Sequence, residues 1–217
     1  MTGRILIATL VFGLATSAAS ADDDFWLGVK AGTLGLGLEA SWRPVPYLDL
    51  RAGVNGYSFD KDGNEAGIDY LGDADLMTVF ATANFRVPLS PFRVTAGLFN
   101  NGNELTLTSR DSSTYQVGSQ TYTSDEVGTL RAGATFEDWA PYAGLGFDFR
   151  VLDTVGLHID AGVLGQGSPN VTLTADGSAA GDPQFQQELE AERMELQRSV
   201  DDYEYYPVVS IGFSFNF

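Results

Sequence analysis

The ionisable residues that could do chemistry are spaced two positions apart. His158, the single histidine, stands two residues before Asp160, and Asp148 stands two residues before Arg150. A histidine that is oriented by a carboxylate can act as a general base. Arginine and aspartate at such spacing could instead pair with each other or line a polar path for ions. The sequence contains no cysteine, so thiol catalysis and thiolate metal sites are excluded.

The elements that position these residues alternate between apolar and polar residues. At the C-terminus, the odd positions from Val209 are Val, Ile and three Phe, whereas the even positions from Ser210 are Ser, Gly, Ser and Asn. Side chains alternate between the two faces of a strand, so one face is apolar and the other is small and polar. The same alternation predicts strands over 25–31, 34–43, 47–59, 76–88, 92–108, 141–150, 155–166 and 205–217.

Eight such strands predict an all-β fold, namely an antiparallel transmembrane up-and-down β-barrel with lipid around its apolar face. The alternative is a soluble sandwich or lipocalin-like barrel. That alternative needs an apolar core to face all the Leu and Phe side chains, and eight cleanly alternating strands leave no second layer to supply one.

The connections alternate between short and long. Residues 44–46, 89–91 and 151–154 are short turns, whereas 60–75, 109–138 and 167–204 are long and acidic. Outer-membrane barrels have short periplasmic turns and long external loops. We therefore expect the three long segments to be extracellular loops, with both chain ends in the periplasm.

Two of the long segments contain predicted structure of their own. Thr114 to Thr123 predicts a small hairpin around Gly118-Ser119, outside the membrane. Asp182-Pro183 predicts a helix start, and a short amphipathic helix over 183–200 presents an apolar stripe of Phe185, Leu189, Leu196 and Val200. Two interpretations remain open for this helix: a lid with its stripe on the barrel rim, or a loop helix with no gating role.

The first residues have the pattern of a secretory signal. Arg4 precedes an apolar run over 5–15, and Ala19-Ser20-Ala21 is a small-residue cleavage site. We expect residues 1–21 to be removed after Ala21, which leaves one barrel domain over 22–217 in the cell outer membrane.

The net charge of −17 excludes a nucleic-acid partner, since nucleic-acid binding needs a basic face. The acidic exterior is expected to attract cations. The run Asp60 to Glu65 places oxygen ligands at alternate positions, as calcium loops do, but its glycine is early and no Glu follows twelve positions along. We therefore interpret it as an acidic loop, and no cofactor or dedicated metal is expected.

The strand phase places a set of ionisable residues on the inward face: Lys30, Glu39, Arg43, Asp49, Arg51, Arg86, Arg93, Asp148, Arg150, His158 and Asp160. They could pair across the lumen and fill it, because an eight-stranded barrel is only just wide enough for its own side chains. They could also line a narrow polar path. Inward glycines are expected to leave room in it: Gly28, Gly35, Gly37, Gly53, Gly144, Gly146, Gly156 and Gly162. His158 and Asp160 face away from lipid, so no catalytic residue and no enzymatic activity are expected.

Several segments resemble a family of small Gram-negative outer-membrane proteins. The quoted segments are Val29-Lys30-Ala31-Gly32-Thr33-Leu34-Gly35, Pro141-Tyr142-Ala143-Gly144-Leu145-Gly146-Phe147, Gly165-Gln166-Gly167-Ser168-Pro169-Asn170-Val171 and the helix leading into Tyr206-Pro207-Val208. In these the chain is similar to the CarO-type channels. The resemblance implies an eight-stranded barrel linked to uptake of basic amino acids such as ornithine and to carbapenem susceptibility.

The function expected from the sequence is therefore a narrow porin-like channel for small, cationic solutes. The alternative is a non-conducting structural or surface-interaction barrel that presents acidic loops. The expected partners are outer-membrane lipid and lipopolysaccharide, and the outer-membrane assembly machinery through the terminal strand that ends at Phe217.

Overall fold

The structure, a computed structural model, describes residues 25–65, 68–110, 114–152 and 154–216. The expected signal peptide over 1–21, its cleavage after Ala21 and the terminal Phe217 lie outside the described residues.

Eight antiparallel strands close into a barrel, as the alternation predicted. The barrel strands are β1 (Phe25–Gly32), β2 (Gly35–Val45), β3 (Leu48–Glu65), β4 (Ile68–Arg86), β5 (Phe92–Asn101), β10 (Trp139–Leu152), β11 (Val155–Gly165) and β13 (Tyr205–Asn216). Each strand pairs with its neighbours in the order β4-β3-β2-β1-β13-β11-β10-β5, and the pairing of β4 with β5 closes the ring.

The barrel is apolar outside and polar inside. Among the outward side chains, Leu36 and Met77 are 66% and 63% exposed, whereas the inward Asn84 and Arg93 are fully buried. A soluble protein rarely leaves so continuous an apolar surface uncovered. This reversed distribution is the one that a lipid-facing barrel requires.

The two ends of the barrel differ. One end, here called the turn end, carries Phe25, Asn216 and the short connections between β2 and β3, β4 and β5, and β10 and β11. The opposite end, here called the loop end, carries the remaining connections, including every long one.

Much of the loop end is sheet. The sequence predicted a loop over 60–75, but the structure has paired strands there. β3 extends to Glu65 and β4 begins at Ile68, and their backbones pair along this length. Backbone hydrogen bonds between paired strands need no apolar alternation, so the polar sequence of this hairpin did not reveal it. Three further strands extend this sheet: β6 (Glu104–Ser109), β9 (Leu130–Thr135) and β12 (Asn170–Ala175).

A small cap packs against this extended sheet. It consists of the predicted hairpin, with strands β7 (Thr114–Val117) and β8 (Gln120–Thr123), helices α1 (Ser124–Val127) and α2 (Pro183–Val200), and a 3₁₀ turn over Ser178–Gly181. Asp182 caps α2 as predicted, since its Oδ1 accepts hydrogen bonds from the backbone N–H groups of Gln184 and Phe185.

The cap has its own hydrophobic core. Phe185 and Leu189 of α2 are buried against Tyr115, Val117 and Leu173. The apolar stripe of α2 therefore contacts β12 and the hairpin, so of the two interpretations left open for this helix, the lid with its stripe on the barrel rim is not the arrangement observed. None of the helices in the described part of the chain is both long and apolar enough to cross a membrane.

Candidate functional site

Arg93 is the centre of the polar lumen. Its Nε lies 3.0 Å from Asp148 Oδ1, its Nη2 lies 2.5 Å from Asp160 Oδ1, and its Nη1 donates to Asn84 Oδ1 at 2.9 Å. The Arg93 side chain therefore binds residues of β4, β10 and β11 at once, and it spans the lumen between them.

A second set of ion pairs continues from Asp160 to the opposite wall. Arg51 Nη1 lies 3.5 Å from Asp160 Oδ2 and 3.3 Å from Glu39 Oε1. Lys30 Nζ lies 3.5 Å from the other oxygen of Glu39. The two sets together form a network that crosses the whole lumen.

A third set lies nearer the turn end. Asp49 accepts from Arg43 Nε at 2.8 Å and also from Arg86 Nε. Arg86 Nη2 in turn lies 3.2 Å from Asp148 Oδ2. These contacts join the turn-end arginines to the Arg93 network.

His158 is buried but does not form the arrangement that its sequence neighbour suggested. The carboxylate beside it is Glu39, at 3.5 Å from Nε2, and Nε2 has no hydrogen-bond partner among the described residues. Asp160 is instead held by Arg51 and Arg93. Orientation of His158 by Asp160, which was considered as a general-base arrangement, is therefore not what the structure shows, because cross-strand partners replace neighbours that are two residues apart.

An apolar layer closes the lumen on the loop-end side of this network. Phe80 stacks on Phe99 with ring centroids 5.1 Å apart, and Phe99 contacts Tyr142 at 5.2 Å. Lys30 Nζ lies 3.8 Å from the centre of the Phe80 ring, so it joins the apolar layer to the charged network. Four aliphatic side chains complete the layer: Leu34, Ala140, Leu164 and Val208.

The inward glycines do not leave open space, contrary to the expectation from the sequence. A Cβ at Gly53 would lie 2.7 Å from the Phe80 ring, and one at Gly162 would lie 2.6 Å from Tyr142 Cζ. At Gly146 it would lie 2.7 Å from Arg93 Cζ. The glycines make room for large side chains of neighbouring strands, which occupy the space beside them.

Cavities lie at two positions among the described lumen residues. The larger, about 120 Å³, lies at the turn end and is lined by Arg43, Arg86 and Arg150 among others. The smaller, about 20 Å³, lies between the charged network and the apolar layer. Arg51 lines both cavities, so its side chain is part of the partition between them.

Solved outer-membrane structures share this architecture. Acinetobacter baumannii CarO2 aligns with a TM-score of 0.60 and 21% identity, over 89% of this chain and 98% of that one. Acinetobacter baumannii CarO aligns with a TM-score of 0.57 and 25% identity, over 88% and 97% of the respective chains. The chain has the fold of a CarO-type outer-membrane barrel. No family model and no curated protein matches the sequence.

In this CarO-type barrel, the predicted inward residues all contact the network or line its cavities. Arg150 differs from the others because it is exposed at the turn end, where its guanidinium lies 5.9 Å from the Trp26 ring. The role of the predicted inward residues as the lining of a solute path stays a prediction.

Uncharged polar residues on the inward face were not among the predicted lumen-lining residues. Asn84 Oδ1 accepts from Thr95 at 2.7 Å as well as from Arg93, and Asn55 donates to Thr78 at 2.8 Å. All of them lie in the inward phase of their strands, so the alternation that located the charges could also have found these residues.

Proposed function

We propose that this chain is a closed outer-membrane barrel that does not conduct solutes in the form described here. In this proposal its loop end faces outward, and the acidic cap and extended sheet present a surface to the cell exterior. The observation that carries the proposal is that a charged network and an apolar layer together fill the lumen.

The charged network is costly to open. A solute that passed the barrel would have to separate Arg93 from Asp148 and Asp160, and Arg51 from Glu39. Removing one partner of a buried pair costs about 3–5 kcal/mol, because the other charge stays buried without compensation. Because several pairs share partners, opening one would disturb the next.

The space between the charged network and the apolar layer is too small for an organic solute. The central cavity of about 20 Å³ has room for about one water molecule. The aromatic rings of Phe80, Phe99 and Tyr142 lie beyond it. Passage of a cationic amino acid would therefore need both layers to rearrange.

The loop end is built as a surface in its own right. Glu188 Oε2 accepts from Ser119 N at 3.0 Å, and Glu192 Oε2 accepts from Gly118 N at 3.2 Å, so α2 holds the hairpin tip. The cap is therefore a folded unit that carries many of the acidic residues. Divalent cations of outer-leaflet lipopolysaccharide are the partners that this charge favours.

A narrow channel for small cationic solutes is the second candidate. The observation that favours it is that Arg51 lines both cavities, so a side chain takes part in separating them. Rotation of a few side chains would then join them. No catalytic role is part of either proposal.

Uptake by proteoliposomes separates the two candidates. We expect wild-type protein to admit labelled ornithine no faster than empty liposomes do. The double variant Phe80→Ala/Phe99→Ala removes much of the apolar layer and serves as a more open comparison. Saturable ornithine uptake by the wild type would favour the channel and contradict the closed barrel.

A further inference from the structure

The turn-end cavity is lined by an excess of positive charge. Its ionisable lining residues are Arg43, Arg51, Arg86 and Arg150, opposed by Asp148. The remaining lining includes two hydroxyl groups, from Ser41 and Ser214, and the Trp26 ring. This composition differs in sign from the chain as a whole, which carries a net charge of −17.

The arginines are only partly neutralised by protein carboxylates. Arg43 and Arg86 share Asp49, and Asp148 is shared between Arg86 and Arg93. Each of these carboxylates therefore serves two guanidinium groups.

Two of the lining arginines retain unused capacity. Arg150 contacts the Trp26 ring and forms no ion pair with any described residue. Arg51, which is 8% exposed, pairs through Nη1 with Glu39 and Asp160, but its Nε has no hydrogen-bond partner among the described residues. A guanidinium offers five N–H donors in a planar fork, so the cavity holds more donors than its own carboxylates satisfy.

We propose that this cavity binds a small oxyanion, a phosphate or a carboxylate group, that enters from the turn end. Arginine forks match both groups in a bidentate manner, and the two serine hydroxyls can donate as well. One water molecule occupies about 30 Å³ in liquid water, so the cavity of about 120 Å³ has the volume of roughly four water molecules. A phosphate or carboxylate group fits in this space.

This site goes beyond the proposed closed barrel and does not depend on it. Binding at the turn end needs no passage through the Arg93 network, so it is compatible with a sealed lumen. A bound anion would neutralise part of the arginine excess and would stabilise the folded barrel by mass action.

Calorimetric titration of the refolded mature protein in detergent micelles tests the proposal. The probes are sodium phosphate and sodium acetate, added separately at constant ionic strength. We expect saturable binding of at least one, and the stronger of the two identifies the phosphate or the carboxylate class.

The diagnostic variant is Arg150→Gln, because Arg150 has no ion pair among the described residues whose loss would disturb folding. We expect its affinity for the bound probe to fall by about tenfold, as for one lost charge-assisted contact. Arg150→Lys keeps the positive charge but not the planar fork of N–H donors, so its affinity for the probe should lie between those of the wild type and Arg150→Gln. The matched control is Arg131→Gln, an exposed loop-end arginine paired with Asp176 at 3.2 Å, which should bind as the wild type does.

Absence of saturable binding by both probes would overturn the proposal. So would unchanged affinity in Arg150→Gln, or an equal loss in Arg131→Gln. Heat-modifiable gel migration establishes that each variant is folded.

Fluorescence quenching gives a second readout that is independent of calorimetry. In a Trp42→Phe/Trp139→Phe background, Trp26 is the remaining tryptophan. We expect iodide to quench Trp26 more strongly than caesium does, and the bound probe to relieve the iodide quenching. Equal quenching by the two ions would count against an anion site.

Discussion

At the scale of single residues, Arg93 is the residue on which the charged network of the lumen is centred. Its side chain is fully buried, and it contacts Asp148, Asp160 and Asn84 on three separate strands. A buried charge of this kind is tolerated only when its partners satisfy it. The residue therefore holds the barrel wall together from within.

Replacing Arg93 with Met should destabilise the barrel strongly. Two buried carboxylates would lose their shared partner, and we expect a loss of about 3–5 kcal/mol in the free energy of unfolding. Urea unfolding in lipid vesicles measures it. The control Arg110→Met removes an exposed pair with Asp62, and equal losses in both variants would contradict the central role of Arg93.

The inward glycines give a second prediction at this scale. In Gly146→Ala the new methyl would lie 2.7 Å from Arg93 Cζ and 2.8 Å from Asp160 Oδ1. We expect a loss of about 1–3 kcal/mol, the usual cost of overpacking, again by urea unfolding. Gly63→Ala is the matched control, since a Cβ there meets nothing within 4 Å. If both variants were as stable as the wild type, the lumen would be looser than described.

The sequence predicted which residues face inward but not what they contact. A period of two assigns a residue to a face, and so it located Arg93 and Asp160 correctly. It contains no information about strand register, which brings Glu39 beside His158 and the Tyr142 ring over Gly162. For the same reason the glycines were interpreted as open space.

At the scale of elements, the cap is held by carboxylates that accept backbone hydrogen bonds. Asp176 Oδ1 accepts from Thr129 N at 2.6 Å, and Glu126 Oε2 accepts from Thr123 N at 2.7 Å in a capping box at α1. These bonds lower the pKa of Asp176 and of Glu126 below their ordinary values of 3.8 and 4.5. The ionised carboxylates therefore favour the folded cap.

The cap should consequently loosen in acid. A depressed folded-state pKa contributes stability that is present above the ordinary pKa, and this stability is lost as the pH falls through the lower folded-state pKa. We expect the amides of Thr123 and Thr129 to lose hydrogen-exchange protection as the pH falls below about 4, near the ordinary carboxyl pKa values, after correction for intrinsic rates. Amides in β11 and β13 serve as the control. Unchanged protection at Thr129 would contradict this account.

The sequence predicted those elements whose apolar residues recur with a regular period. The barrel strands and α2 follow apolar periodicities, and Pro183–Val200 begins after the predicted cap residue. By contrast, the strand predicted over 92–108 is divided into β5 and β6, and β9, β12 and the outer parts of β3 and β4 lie in segments predicted as long loops, so the extended sheet was not predicted. β6 and β12 do alternate, with Leu105 and Leu107 in one and Val171 and Leu173 in the other, but a period of two does not show which strands pair.

At the scale of the whole molecule, the two ends differ in charge and in construction. The loop end carries a folded acidic cap, whereas the turn end opens on a cavity lined mainly by arginine. Between them lie the charged network and the apolar layer. A solute that crossed the barrel from the loop end would meet the acidic cap, the apolar layer, the charged network and the turn-end cavity in turn.

The most direct test is single-channel conductance of the refolded mature protein in a planar bilayer, with and without ornithine. We expect no conductance from protein that migrates as a folded, heat-modifiable barrel. The variant Asp148→Asn/Asp160→Asn weakens both carboxylate contacts of Arg93, and it shows whether the network contributes to the seal. Reproducible, cation-selective conductance from the wild type that this variant alters would contradict the closed barrel and make the lumen a solute path.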